Sequence, residues 1–404
     1  MKVVIILSIF WLLPYQGIRC QGRWAQDSST GFLPRIHHSS VVINGLIYVV
    51  GYTSPGIQVF DPKKHQWNSP TTSGYYQPSS LTSSANVING KIYNIEAYSA
   101  SSNTFTDSLK LFDPTTNTWS TLTPTGDLVP RGLFASCVVN NKIYLAGGDA
   151  SDFEFPPIGM LQVYDPATNQ WSTPLTNGKI TPRYGLTCSA IGDTIYFIGG
   201  DLGLPDFPVL NIVEAFDTKT NTWSTPITTG TFTARQYLTS SVVNGKIYVM
   251  GGDTAGTINP VNTLEVFDPS NNTWSTPKTT GVFTPRMNLS SSVVDGNIYT
   301  FGGYRPHKEL NTVEVLYPSF DDVSSPIKDQ KISLLSTIVT NSADFQFGIH
   351  QSNIKFELYD VIGRLIVRFE IPEGETSLHL NVQKYPAGIY FARIGSEIAR
   401  FIKK

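Results

Sequence analysis

Five tryptophans, Trp67, Trp119, Trp171, Trp223 and Trp274, recur at intervals of 52, 52, 52 and 51 residues. Each sits within a similar phrase, most clearly Asn221-Thr-Trp-Ser-Thr-Pro226 and Asn272-Thr-Trp-Ser-Thr-Pro277. An arginine stands 12 residues after four of them, at Arg131, Arg183, Arg235 and Arg286. A period of about 50 residues marks one supersecondary unit that buries its apolar faces only against copies of itself, and it predicts a propeller of repeated sheets.

The order within a period says how each sheet is made. From Arg235 a run of small polar and apolar residues reaches Val243, followed by Asn244-Gly245, then Lys-Ile-Tyr-Val-Met, Gly251-Gly252, Leu-Glu-Val-Phe-Asp268 and Trp274. Asn-Gly or Asp-Gly between apolar runs (Asn44-Gly45, Asn89-Gly90, Asn244-Gly245, Asp295-Gly296) supplies the positive φ that a two-residue hairpin turn requires. The first two strands, a and b, are therefore a hairpin. Strand b is apolar almost throughout, as a strand covered on both faces must be.

This period resembles the kelch repeat. The resemblance rests on the double glycines (Gly147-Gly148, Gly199-Gly200, Gly251-Gly252, Gly302-Gly303), the tyrosines before them (Tyr144, Tyr196, Tyr248, Tyr299) and the tryptophans. Two repeats depart from it. The first has Gly51 followed by Tyr52, and the second reads Tyr93-Asn-Ile-Glu-Ala97 with Ser79 in the arginine position.

Repeats start at Arg35, Ser79, Arg131, Arg183, Arg235 and Arg286, and the sixth has no tryptophan after Val313-Glu-Val-Leu-Tyr317. Near the N-terminus, Trp24 to Arg35 mirrors Trp274 to Arg286 with one residue fewer. Trp24 is expected to supply the outer strand of the sixth blade, which joins the two ends of the propeller and leaves no unpaired gap. The fold class expected is all-β: a six-bladed kelch propeller over residues 21–318, followed by a small C-terminal β-sandwich.

Both ends of the chain bear on location. Val3 to Leu13 is an apolar run as long as a secretory signal core and too short to span a bilayer, so residues 1–20 are expected to be a signal peptide cut after Cys20. A lipoprotein alternative would acylate Cys20, but Arg19 does not match the small residue required before it. Residues 319–331, rich in Ser, Asp and Pro, read as a linker.

Residues 332–404 carry Leu358-Tyr-Asp-Val-Ile-Gly-Arg364, then Tyr385-Pro-Ala-Gly-Ile-Tyr-Phe391, then Lys403-Lys404. This segment resembles the C-terminal sorting domain of type IX secretion, without the usual Asn-Pro opening; Thr340 to Asp344 stands near that place. The alternative is an unrelated small β-sandwich. The resemblance implies a secreted or surface-attached protein that meets outer-membrane secretion machinery. A net charge of −2 gives no pull toward nucleic acid.

Chemistry is sparsely signalled. Cys137 and Cys188 lie on strand a of adjacent blades, six and five residues after their arginines. That one-residue offset predicts opposite faces and no disulfide. The kelch resemblance includes copper radical oxidases and a sialic acid mutarotase, but the six histidines are scattered: His37 and His38 on strand a, His65 in a turn, His307 in a loop, His350 and His379 in the tail domain. No metal or other cofactor is expected.

Strand a leaves the arginine and strand b returns to the Gly-Gly-Asp, so both lie at one mouth of the propeller. Arg131, Arg183 and Arg235 are expected to fix the blades by pairing with Asp149, Asp201 and Asp253. Arg35 and Arg286, with Tyr52 and Tyr304 in place of the aspartate, are expected to point free side chains at a ligand. Loops on this face add Tyr75, Tyr76, Phe153, Phe155 and Phe207, aromatic groups suited to sugar rings or a protein partner. The function expected is binding of a glycan or protein, with a carbohydrate-active enzyme such as a mutarotase as the alternative.

Overall fold

The computed structural model describes residues 22–51, 56–74, 76, 83–99, 104–126, 128–150, 157–203, 208–254, 258–318, 333–334, 338–346, 353–361, 364–375, 377–394 and 397–404. The expected signal peptide and linker lie outside them. The chain divides into two compact units, Met1–Phe320 and Asp321–Lys404.

The first unit is a six-bladed propeller; five blades are four-stranded antiparallel meanders, and the sixth takes an N-terminal strand as its fourth and a short parallel strand beyond it. In blade 3, strand a is Ala135–Val139, b is Lys142–Ala146, c is Leu161–Asp165 and d is Gln170–Ser172. Strand a of the other blades is Ser39–Ile43, Ser83–Ile88, Thr187–Ile191, Thr239–Val243 and Ser290–Val294. The ab turns have the predicted left-handed pairs, such as Asn44 and Gly45 at φ 52° and 77°. Before strand d, His65, Asn117, Asn169, Asn221 and Asn272 take positive φ. This explains why asparagine precedes the tryptophan by two residues, since it tolerates that conformation at little cost.

The core lies between blades. On strand c, Phe60, Phe112, Tyr164, Phe216 and Phe267 sit in register with the tryptophan of the same blade. The chain entering each blade adds a second apolar side chain. Phe32 stacks on Trp67 at 4.5 Å, Phe232 on Trp274 at 4.4 Å and Phe283 on Trp24 at 4.3 Å. Tyr76, expected at a ligand site, belongs to this series and stacks on Trp119 at 4.2 Å.

Closure follows the tryptophan phrase. Gly22–Gln26 pairs antiparallel with Val313–Pro318, setting Trp24 opposite Leu316, and parallel with Thr279–Thr280. Trp24 is buried. The ring also closes by backbone, because Gly303 N–H donates to the Arg35 carbonyl at 2.9 Å.

Strand a lines the central channel, and its side chains bond across the seams between blades. The residue two before the end of strand a in one blade meets the second residue of strand a in the next: Asn86 with Ser136 at 2.9 Å, Ser189 with Ser240 at 2.8 Å, Ser241 with Ser291 at 2.8 Å and Ser292 with Ser40 at 2.9 Å. Cys137 and Cys188 occupy these two positions at the seam of blades 3 and 4, with their sulfurs 2.6 Å apart. The expectation that they point apart is thus corrected. Neighbouring blades meet by opposite faces, so a one-residue offset brings two side chains together.

The second unit has a three-stranded sheet (Ser333–Leu334, Ser342–Gln346, Ser377–Asn381) and a five-stranded sheet ordered Ile338–Val339, Glu397–Lys403, Gly388–Ile394, Ile354–Asp360, Leu365–Ile371. Ala343, Phe345 and Leu380 of the first share one core with Phe356, Leu358, Tyr390 and Phe401 of the second. Glu357 is held by Arg368 at 2.6 Å and Arg393 at 2.5 Å, and its carboxyl pKa is lowered by the Tyr359 hydroxyl and these guanidiniums.

Candidate functional site

Each blade's arginine is buried, and its partner is not the aspartate. Arg183 Nη1 bonds the Glu214 carboxylate and Arg235 Nη1 that of Glu265, while Arg286 Nη2 donates to Glu314 Oε1 at 2.6 Å. These glutamates come from the middle of strand c. Their carboxylates also accept from Thr181, Thr233 and Thr284. In blade 1 Gln58 takes that place and accepts from Arg35 Nη2 at 2.7 Å; in blade 3 it is Gln162. Among the described residues no acceptor reaches the Arg131 guanidinium. Burial pulls the Arg35, Arg131 and Arg286 pKa values down to about 10.

Two expectations are corrected by this geometry. Arg35 and Arg286 have no exposed surface and present no charge to a ligand. Arg183 and Arg235 meet carboxylates on strand c because the side chain runs beneath the blade past the double glycine. A Cβ on Gly200 or Gly252 would lie 3.0 or 3.2 Å from the Cδ of Arg183 or Arg235. The second glycine leaves the room that the arginine stem occupies. The first receives the next blade: a Cβ on Gly199 would come within 2.6 Å of the Arg235 carbonyl oxygen.

The aspartates serve the mouth differently. Their backbones bridge to the residue after the arginine, as Asp149 with Gly132, Asp201 with Tyr184 and Asp253 with Gln236. Asp201 Oδ1 accepts from Gly203 N–H at 2.6 Å and Asp253 Oδ1 from Asn259 N–H at 2.5 Å, which folds the loops that follow. Burial, then the Asp253 charge, pushes the Asp201 carboxyl up despite the Gly203 bond. The Tyr237 hydroxyl is raised by burial and then by Asp201, Asp253 and Asp149.

A ring of residues that the sequence alone did not single out frames this end of the channel. Two positions after each arginine the chain is left-handed: His37, Leu133, Gly185, Tyr237 and Asn288, with φ of 49°, 56°, 63°, 54° and 53°. Gly185 N–H donates to Leu133 O, Tyr237 N–H to Gly185 O and Asn288 N–H to Tyr237 O, at 2.7 to 2.9 Å. The signal was present as one repeat position filled by five unlike residue types. All five line a cavity of about 230 Å³ whose wall also includes Ser40, Ser84 and Thr239. Burial holds the His37 imidazole down to about 4.

Beside the mouth, Tyr304–Arg305 and Lys308–Glu309 form a small hairpin that exposes Arg305, His307 and Lys308. The Tyr304 hydroxyl accepts from His307 N–H at 3.2 Å. Tyr52, Tyr75, Phe153, Phe155 and Phe207 lie outside the described residues. Among the described residues no three His, Cys, Asp or Glu side chains converge to hold a metal ion.

Six four-stranded blades around a hydroxyl-lined channel, with tryptophan and double glycine at fixed places, define a β-propeller of the kelch type. The chain belongs to that family: the model described as the KLHDC2/KLHL20/DRC7 Kelch-repeats domain matches residues 20–200 and 185–333. Residues 339–404 match the secretion system C-terminal sorting domain. Kelch-like protein 25 of Xenopus tropicalis is 26% identical over 254 residues, 60% of this chain and 40% of its own length. A putative F-box/kelch-repeat protein of Arabidopsis thaliana is 29% identical over 186 residues, 45% of this chain and 47% of that protein. Kelch domain-containing protein 3 of Bos taurus is 29% identical over 180 residues, 42% and 46%. The chain therefore spans less than half the length of these curated relatives.

Proposed function

We propose that the protein is exported through its C-terminal sorting domain and, at the cell surface or beyond it, binds a glycan or protein ligand across the arginine end of the propeller. The observation that carries this reading is the ring of His37, Leu133, Gly185, Tyr237 and Asn288. One backbone position, linked by bonds from blade 3 through blade 6, carries a different residue in each of five blades. A rigid scaffold with varied side chains at its mouth is how loops acquire recognition.

The cavity of about 230 Å³ shares Ser40, Ala85, Ser136 and Ser291 with a second of about 320 Å³ along strand a, so the channel offers room to a sugar as well as a mouth for a protein to lie over. Sialic acid mutarotation, the alternative, draws less support: the buried arginines are spent within the blades, and exposed positive charge beside the mouth is that of Arg305 and Lys308.

The test is a glycan array and a surface-protein binding screen with the intact propeller, beside Tyr237→Ala and Asn288→Ala and a mutarotation assay on sialic acid. Binding that weakens tenfold or more in both variants supports the reading. Mutarotation by the intact protein, or binding indifferent to both changes, overturns it. For export, removal of residues 339–404 is expected to leave a folded propeller retained in the periplasm of a competent host; surface delivery of the shortened chain refutes the assignment.

A further inference from the structure

We propose that Cys137 and Cys188 form a disulfide that staples blade 3 to blade 4 across the inner seam of the propeller. The seam rule described above places them. Cys137 is in register with Tyr144 of its own strand b, as Ser241 is with Tyr248 and Ser292 with Tyr299. Cys188 is in register with Phe197, as Ser240 is with Val249. The two cysteines thus fill, on facing blades, the positions where hydroxyls bond at the seams of blades 4 and 5, 5 and 6, and 6 and 1.

A hydroxyl pair at such a seam makes a hydrogen bond. A thiol pair makes a weak one, because S–H is a poor donor and sulfur a poor acceptor. The sulfurs lie 2.6 Å apart, so little movement separates them from the bonded distance of about 2.05 Å. Both side chains are only partly buried and line the channel wall, which leaves a route for a small oxidant. Burial and the neighbouring thiol raise the Cys188 pKa, so the dithiol needs an oxidant rather than closing on its own.

The chemistry balances as two thiol–disulfide exchanges. One of the two thiols loses its proton, attacks a small-molecule or protein disulfide and displaces one thiolate. The other, deprotonated in turn, attacks the mixed disulfide at its partner's Sγ and displaces the second. The protein dithiol loses two electrons and two protons, and the oxidant leaves as two thiols. The closed loop joins residues 51 apart, long enough for a substantial constraint on the unfolded chain.

The test is peptide mapping of the purified full chain, alkylated under denaturing conditions before and after treatment with oxidised glutathione. A peptide containing Cys137 linked to one containing Cys188 is expected, with a mass 2 Da below the sum of the thiol forms. Reduction should then lower Tm by about 6 °C, from the loop length and the unfolding entropy of a unit this size. The variant carrying both Cys137→Ser and Cys188→Ser restores the hydroxyl seam of the other blades, and its Tm should not respond to reductant. Two alkylated thiols after oxidation, or the same response to reductant in that variant, overturn the staple.

Discussion

Replacing Trp24 by alanine tests the closure of the ring at one residue. Trp24 lies in Gly22–Gln26, is 4% exposed and stacks on Phe283 at 4.3 Å, packed among Leu264, Val266, Leu289 and Leu316. A buried tryptophan removes about 200 Å² from water, worth roughly 5 kcal/mol at 25 cal/mol/Å², an upper bound because unfolded chains already bury part of it. Large-to-small changes of this kind cost about 3–5 kcal/mol. For a unit of about 300 residues that is a fall in Tm of about 5–8 °C.

The assay is urea and thermal unfolding beside Leu175→Ala, a change at a 95% exposed side chain expected to stay within about 0.5 kcal/mol. A second change isolates the strand itself. A Cβ on Gly281 would lie 2.0 Å from the Trp24 carbonyl oxygen, so Gly281→Ala should be severe in the intact chain. In a chain starting after Thr30 only the left-handed strain of alanine remains, about 1–2 kcal/mol. If Trp24→Ala matches Leu175→Ala, and Gly281→Ala costs the same in both chains, the N-terminal strand does not close the sixth blade.

Glu214→Ala leaves the buried Arg183 guanidinium unpaired and is expected to cost about 3–5 kcal/mol, whereas Glu214→Gln should cost less than half of that because Gln58 holds Arg35 in blade 1; equal denaturation midpoints for the two variants would contradict the pairing. In blade 2 burial raises the Glu96 carboxyl to about 7 against a partial offset from Lys110, so the native state binds a proton that the unfolded state has lost, and this contribution to stability disappears as pH rises from 4.5 through 7. His37 has the opposite sign: its folded pKa of about 4 makes stability fall as pH drops from 6.5 toward 4. Urea midpoints at pH 5 and 8 should show Glu96→Gln gaining on the parent as pH rises; parallel profiles would refute the assignment.

The sequence by itself determined the repeat, the blade count and the closing strand. These follow from spacing, and spacing survives in one dimension: Trp24 carries the same phrase as Trp274, and Asn44-Gly45 makes its turn with local φ alone. Tertiary structure decided who meets whom. Strand parity sets Cys137 and Cys188 on opposite faces only if both belong to one sheet. In a ring the left face of one blade packs on the right face of the next, and the offset that separates side chains within a sheet joins them across a seam. Arg183 and Asp201 stand at the same mouth, and sequence alone predicts that they pair. The long side chain instead passes the Cβ-free Gly200 to reach Glu214 on strand c, a contact set by the thickness of the blade. Tyr76, read as a loop aromatic open to a ligand, is held against Trp119 because each blade's tryptophan leaves one face for the incoming chain to cover.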